Sequence, residues 1–378
     1  MEFEVRALNE SDFAGLKHEW SNLLGESNAD PLFMSWAWLY SWWEVWSRAY
    51  GLELFLLGVY SNEDGMLVGL APLYRHVFRS LGGIRIRRLH FIGNAWRIGP
   101  SVRTEYVGLI MRNGFEESTA GAIAGYLRRF TWDELIISDS RHETAGAFGK
   151  ALTQGGDVLD VIRSEATGIC IDTNGSREHW VQSLGSNTRL KAINRQSFFE
   201  VELNGVYRPF RPGVDGYWRF FEQLNQFHLQ RWGKPCFDES AVDFHIRLLS
   251  RLVASQSPKM TELVCDNEVV SVLYDIQAAD RVYNLQAGFN ESLHKKLSLG
   301  TLHLGYAISD AFEESSILYY DLLAGYGKNT FYKAKFMGEE TGFTTLEFVR
   351  SPLLKLAYQC QACLPRRMKS RINRVFRL

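Results

Sequence analysis

An order of hydrophobic patterns that occurs twice constrains this chain more than any other feature. In the first half, Phe13, Leu16, Trp20, Leu23 and Leu24 fall at helical spacing, Gly25 ends the run, and residues 35–46 follow as a second helix. Residues 52–60 and 66–75 then read as a hairpin, 106–111 as a strand, 115–130 as a helix and 132–138 as a strand. In the second half, Tyr217, Phe220, Phe221, Leu224 and Phe227 mark one helix, and Phe244, Leu248, Leu249 and Leu252 another. Residues 261–265 and 269–277 form a hairpin and 281–289 a strand. Leu304, Ile308, Ala311 and Phe312 then mark a helix, and 317–323 a strand. Both halves thus read helix, helix, hairpin, strand, loop, helix, strand. A recurring order without recurring sequence predicts a duplicated α/β unit, with domains over residues 1–165 and 166–350 and a tail over 351–378.

The helix at 35–46 carries five of the eleven tryptophans. Trp36, Leu39, Trp43 and Trp46 share one face, and Trp38, Trp42 and Val45 form another. A helix apolar on two faces is buried on both, here between sheet and neighbouring domain; a cradle for an aromatic substrate is the alternative. The 378 residues are 46% hydrophobic and 22% charged, an ordinary globular composition. A net charge of −1 gives no reason to expect a protein that coats nucleic acid. Residues 351–378 hold seven basic residues and no acidic one, which leaves the preceding residues at −8. In that tail Arg366, Arg367, Lys369, Arg371, Arg374 and Arg377 alternate with Met368, Ile372, Val375 and Phe376, a pattern suited to an anionic membrane surface. The start is charged, and no apolar stretch approaches the ~20 residues of a membrane span. The expectation is therefore cytoplasmic, with peripheral membrane contact through the tail. Five scattered cysteines give no disulfide framework, and Cys360-Gln-Ala-Cys363 lacks a second ligand pair, so no metal is expected.

Several familiar sites are missing. There is no Gly-x-Ser-x-Gly elbow and no His-Glu-x-x-His helix. The segment Gly325-Tyr326-Gly327-Lys328-Asn329 fails as a phosphate loop, with Leu322 in place of the first glycine and Asn329 in place of Ser or Thr. The informative stretch is 287–335. A loop leads from the 281–289 strand to a helix start near Thr301, where unpaired N–H groups can hold a pyrophosphate. Gly300 lets backbone approach a ligand, Thr301 can cap the helix or bond a phosphate oxygen, and Lys295 and Lys296 add charge. An ordinary strand–helix connection has the same residues. Asp321 is the one charge in an apolar strand, costly unless partnered. Lys333 is the expected partner, beside Tyr332, and the residues alone do not decide between a structural ion pair and a catalytic acid or base. Asp275 and His294 are next in line as bases.

Phe33-Met34-Ser35-Trp36-Ala37-Trp38-Leu39 with Trp42-Trp43, then Asp64-Gly65 and Pro72-Leu73, resemble the front half of CelD-like (BioF-type) acyltransferases of the GNAT superfamily. Arg231-Trp232 is similar to that family's Arg-Trp element. Gly288-Phe289, Gly300, and Tyr320-Asp321-Leu322-Leu323 with Gly325 and Tyr332-Lys333 resemble its C-terminal signature. One departure stands out, Ser298-Leu299-Gly300 where the family has Ser-Pro-Gly. The resemblance implies two tandem GNAT-like domains, each a mixed, mostly antiparallel sheet flanked by helices, as in the related FemAB-type peptidyltransferases. It implies an acyl-CoA donor held by Leu297, Ser298, Leu299, Gly300 and Thr301, with Arg231 and Trp232 on the substrate. Asp321, Tyr332 and Lys333 become the catalytic cluster. The acceptor implied is an amine on a sugar or a cell-envelope or polysaccharide precursor. A FemAB-like enzyme using aminoacyl-tRNA and a non-catalytic GNAT-like scaffold are the alternatives.

Overall fold

The computed structural model describes residues 2–80, 83–325, 332–363 and 375–376. The chain divides into two units, Met1–Glu165 with Gly342–Leu378, and Ala166–Thr341. Residues 342–350, expected in the second domain, thus fall in the first, and so does the segment after them. Of that tail, residues 364–374 and 377–378 lie outside the described residues, and with them the basic run from Arg366 to Arg377. No described helix is long and apolar enough to cross a membrane.

The first unit runs β1 (Phe3–Leu8), α1 (Glu10–Gly15), α2 (Lys17–Gly25), α3 (Trp36–Trp46), β2 (Glu53–Ser61), β3 (Leu67–Arg79), β4 (Arg85–Phe91), β5 (Ile110–Met111), α4 (Glu116–Leu127), β6 (Glu134–Arg141) and α5 (His142–Thr153). β7 (Leu159–Asp172) leads into the second unit. There α6 (Arg177–Ser183) and a helical run over 186–202, broken by two π turns, precede β8 (Val206–Pro209), α7 (Trp218–Trp232), α8 (Glu239–Arg251), β9 (Gln256–Cys265), β10 (Glu268–Ala278), β11 (Arg281–Phe289), α9 (Leu299–Glu313) and β12 (Tyr319–Gly325). β13 (Glu339–Val349) and α10 (Pro352–Cys363) return the chain to the first unit.

The two units build the same sheet. In the first, β2, β3 and β4 are antiparallel, β6 pairs with β4 in parallel after the α4 crossover, and β13 pairs antiparallel with β6. In the second, β9, β10 and β11 are antiparallel, β12 joins β11 in parallel after α9, and β7 pairs antiparallel with β12. A parallel pair needs a crossover connection, which each helix supplies. The architecture is two α/β units of like topology, each a mostly antiparallel sheet flanked by helices.

The third strand of the first unit lies elsewhere than expected. It is β4, inside a Gly/Arg-rich stretch over 80–104 in which the sequence marks no strand, and 106–111 contributes only the two residues of β5. Arg85, Arg87 and Arg88 hide the strand pattern. Alternation exposes Arg85 and Arg87 but buries Arg88 between Ile86 and His90, where its Nε donates to Glu134 at 2.6 Å. Glu134 and Glu347, both fully buried, also bind Arg97, and Tyr358 of α10 donates to both carboxylates. The tryptophans of α3 are all buried, with ring partners such as Phe33 and Tyr74 in the same unit. In the second unit α9 lies close on the π-turn segment. A Cβ on Gly305 would come 2.1 Å from the Ala192 carbonyl oxygen, so only glycine fits there.

Candidate active site

β11 and β12 pair only over residues 281–283 and 319–321. Beyond Tyr283 and Asp321 no described pair joins them, so the two parallel strands fork. The open crevice past the carboxyl ends of parallel strands is where α/β sheets bind ligands. Just past the fork point β12 bulges: Leu322 and Leu323 oppose one residue of β7, and Leu323 has φ +60°. Asp321 holds that bulge. It is 1% exposed; its Oδ1 accepts from the Leu323 N–H at 2.7 Å and its Oδ2 from Arg281 Nη1 at 3.1 Å. Its ionic partner in the structure is therefore Arg281 rather than the expected Lys333. The parallel pairing sets Tyr283 opposite Asp321 and Arg281 two residues before it, so the guanidinium reaches the carboxylate diagonally across forty residues of sequence, a pairing invisible in local pattern. Lys333 donates instead to the carbonyls of Leu323 (3.2 Å) and Ala324 (3.0 Å), main-chain groups turned out by the bulge.

The loop after β11 reaches α9 at the open end of the fork. Ser298 stands at the N-cap and makes no side-chain cap bond. Its hydroxyl shares a 3.0 Å hydrogen bond with Thr301 Oγ1, which accepts in turn from the Tyr332 hydroxyl at 3.1 Å. The first-turn N–H groups of Leu299, Gly300 and Thr301 precede any intrahelical acceptor. The structure so joins the expected cofactor loop to Tyr332. Leu297 and Leu299 pack into the hydrophobic cluster of Phe199, Leu302 and Tyr306, so only their backbones can serve a ligand. Gly300 has a packing reason as well, since a Cβ there would stand 2.5 Å from the Phe289 ring. Tyr332 is raised above the usual phenol range by burial, which Thr301 and Arg231 partly oppose. It stays protonated at neutral pH, as a proton donor must.

Arg231 and Trp232 close the C-terminal end of α7, before Gly233 in a left-handed C-cap. The Arg231 guanidinium lies 4.4 Å from the Trp232 ring and 4.9 Å from that of Phe289, and its Nε pairs with Glu291 at 2.6 Å. Phe289, which contacts both Arg231 and the Gly300 position, was named from the sequence only within the Gly288-Phe289 match and was not given a role there. Neither was His228, whose Nε2–H donates to the Ala287 carbonyl at 2.9 Å. Exposed aromatic and basic residues at a helix C-cap were the available signal.

Of the reserve bases, His294 lies within the loop between β11 and α9, and Asp275 lies on β10. Asp275 is buried on β10, accepts from Asn284 (2.7 Å) and Tyr320 (2.6 Å), and is pushed up to about 7 by burial. His294 accepts from the Lys296 N–H at 3.2 Å and lies 5.1 Å from the Phe198 ring. Residues 326–331, including the glycine-rich decoy after Gly325, lie outside the described residues, as does the side chain of Cys363. Among the described residues no three His, Cys, Asp or Glu side chains group as metal ligands.

The first unit fills its equivalent fork. β4 and β6 pair over 88–90 and 134–136, and β6 then bulges at Ser138 and Asp139, with Asp139 at φ +52°. There the chain's own segment caps the bulge. Arg103 grips the Asp139 carboxylate at 2.6 and 2.8 Å, and the Val107 N–H donates to the Asp139 carbonyl.

Residues 205–334, which hold this site, match the family described as acetyltransferase (GNAT) domain. The crystal structure of FemX is similar over 93% of this chain and 99% of its own, with TM-score 0.63 at 9% identity. A conserved protein of unknown function from Bacteroides thetaiotaomicron VPI-5482 is similar over 92% of this chain and 100% of its own, with TM-score 0.53 at 8% identity. No curated protein matches the chain in sequence. The domain match makes acyl transfer the general chemistry of the second unit.

Proposed function

We propose that the second unit transfers an acetyl or other acyl group from acyl-CoA to an amine, on a sugar or a cell-envelope or polysaccharide precursor. The observation that carries this reading is the fork between β11 and β12 opening on an uncapped helix start linked to Tyr332 through Thr301. The pyrophosphate would lie on the N–H groups of Ser298, Leu299, Gly300 and Thr301. The thioester would enter the fork, its oxyanion steadied by main-chain N–H groups of β11 past Tyr283. The acceptor nitrogen attacks the thioester carbonyl, the C–S bond breaks, and Tyr332 gives its proton to the departing thiolate. The proton lost by the acceptor nitrogen returns through solvent to the tyrosinate, so that amide and free thiol leave and Tyr332 is restored. Asp321 acts as a positioning residue, because both carboxylate oxygens are engaged in holding the bulge. Lys333 fixes the carbonyls of that bulge, and Arg231 with Trp232 orients the acceptor.

Thermal shift with acetyl-CoA, longer acyl-CoAs and aminoacyl-tRNA tests the donor, and mass spectrometry of extract with labelled acetyl-CoA tests the acceptor. Stabilisation by CoA thioesters and a labelled amide product are expected. Stabilisation by aminoacyl-tRNA alone would replace this reading with the FemAB-like one, and no response to either would leave a scaffold.

A further inference from the structure

The two exposed tryptophans of the chain, Trp218 and Trp232, lie on one helix, α7, while the other nine are buried or half-buried. Leu229, 53% exposed, stands eleven positions after Trp218, and Trp232 fourteen. At 3.6 residues per turn these are about three and four turns, so the three side chains form a stripe roughly 21 Å long. The opposite face of α7 holds Phe220, Phe221, Leu224 and Phe227 in the core. Beyond the start of the helix, Val214 is fully exposed at the tip of a turn closed by Gly213 and Gly216. Large apolar side chains aligned in water mark an interaction surface.

The charge around the stripe selects the partner. Between 211 and 234 stand Arg211, Arg219, Arg231 and Lys234 against Asp215 and Glu222, a surplus of two positive charges in a body of −8. Tryptophan and leucine flanked by arginine and lysine suit the headgroup region of an anionic bilayer, where the rings reach the acyl boundary and the cations meet phosphates. We propose that this face of α7, from Val214 to Trp232, docks the protein on an anionic lipid surface. Arg231 at one end of the stripe touches Phe289 beside the α9 start, so docking would hold the mouth of the candidate site next to the bilayer. The proposal does not depend on which acyl donor the site takes.

Flotation of the full chain with vesicles of equal parts phosphatidylglycerol and phosphatidylcholine, and with phosphatidylcholine alone, tests it. The tail is intact in every protein compared. Wild-type protein should float with the anionic vesicles. Trp218→Ser with Leu229→Ser should lower its partition about tenfold or more at an unchanged melting temperature, and Arg219→Glu should lower it several-fold, about as expected for a reversed surface charge. The proposal is overturned if wild type stays in solution, or if the double variant floats equally. Loss of self-association in the variant, with no vesicle binding by wild type, would assign the face to a second copy of the chain and also overturn it.

Discussion

In the first unit β4 and β6 part after residues 90 and 136; in the second β11 and β12 part after 283 and 321. Each central strand then bulges by one residue, with Asp139 or Leu323 in the left-handed region. The backbones are alike and the contents differ. Twenty-four residues lie between β4 and α4, and part of that length folds back so that Arg103 and Val107 engage the bulge. Only nine residues lie between β11 and α9, and they deliver a helix start instead. Among the described residues, the shorter connection sends no segment of its own onto the bulge of the second fork. The two units also treat buried charge differently. The first neutralises Glu134 and Glu347 with Arg88 and Arg97; the second pairs Asp321 with Arg281 but leaves Asp275 with the neutral partners Asn284 and Tyr320.

The largest expected effect separates the units by chemistry. Tyr332→Phe removes the proposed proton donor and should lower turnover by about 10²–10⁴ with CoA affinity little changed. Steady-state rates beside a CoA titration decide it, and near-normal turnover would return the donor role to solvent. The counterpart in the first unit is a stability effect. Arg88→Ala leaves Glu134 short of a buried cation and should cost about 3–5 kcal/mol, read as a lower urea midpoint with turnover per folded molecule retained. Loss of turnover at full stability would give the first unit a catalytic part.

A smaller effect sharpens the contrast in buried charge. The folded pKa of Asp275, about 7, lies above that of an unfolded aspartate. Between these values the folded state binds more protons, so this group's contribution to stability falls as pH rises from about 4 to 7. Asp275→Asn should flatten that part of the melting-temperature profile, and an unchanged slope would mean the carboxylate is not the source.

The order of elements was legible because each helix and hairpin carries its own period. Thr301 and Tyr332, which the sequence placed in one candidate site, do meet through a hydrogen bond. What sequence concealed was set by distant strands. β4 looked like a basic loop because Arg88 is buried only once Glu134 arrives beside it. Asp321 was given Lys333, twelve residues away, when the neighbouring strand β11 supplies Arg281 from a diagonal position. The return of β13 to the first unit, and the plug formed by Arg103 and Val107, follow from tertiary packing with no local signature.

Amide hydrogen exchange with and without acetyl-CoA tests most directly the claim that one fork is open and the other filled. Acetyl-CoA should slow exchange in the β11 edge past Tyr283 and in residues 297–302, and should leave 92–109 and 137–141 of the first unit unchanged. Protection in the first unit's segments, with none at the start of α9, would contradict the account and move the acyl-CoA site to the other fork.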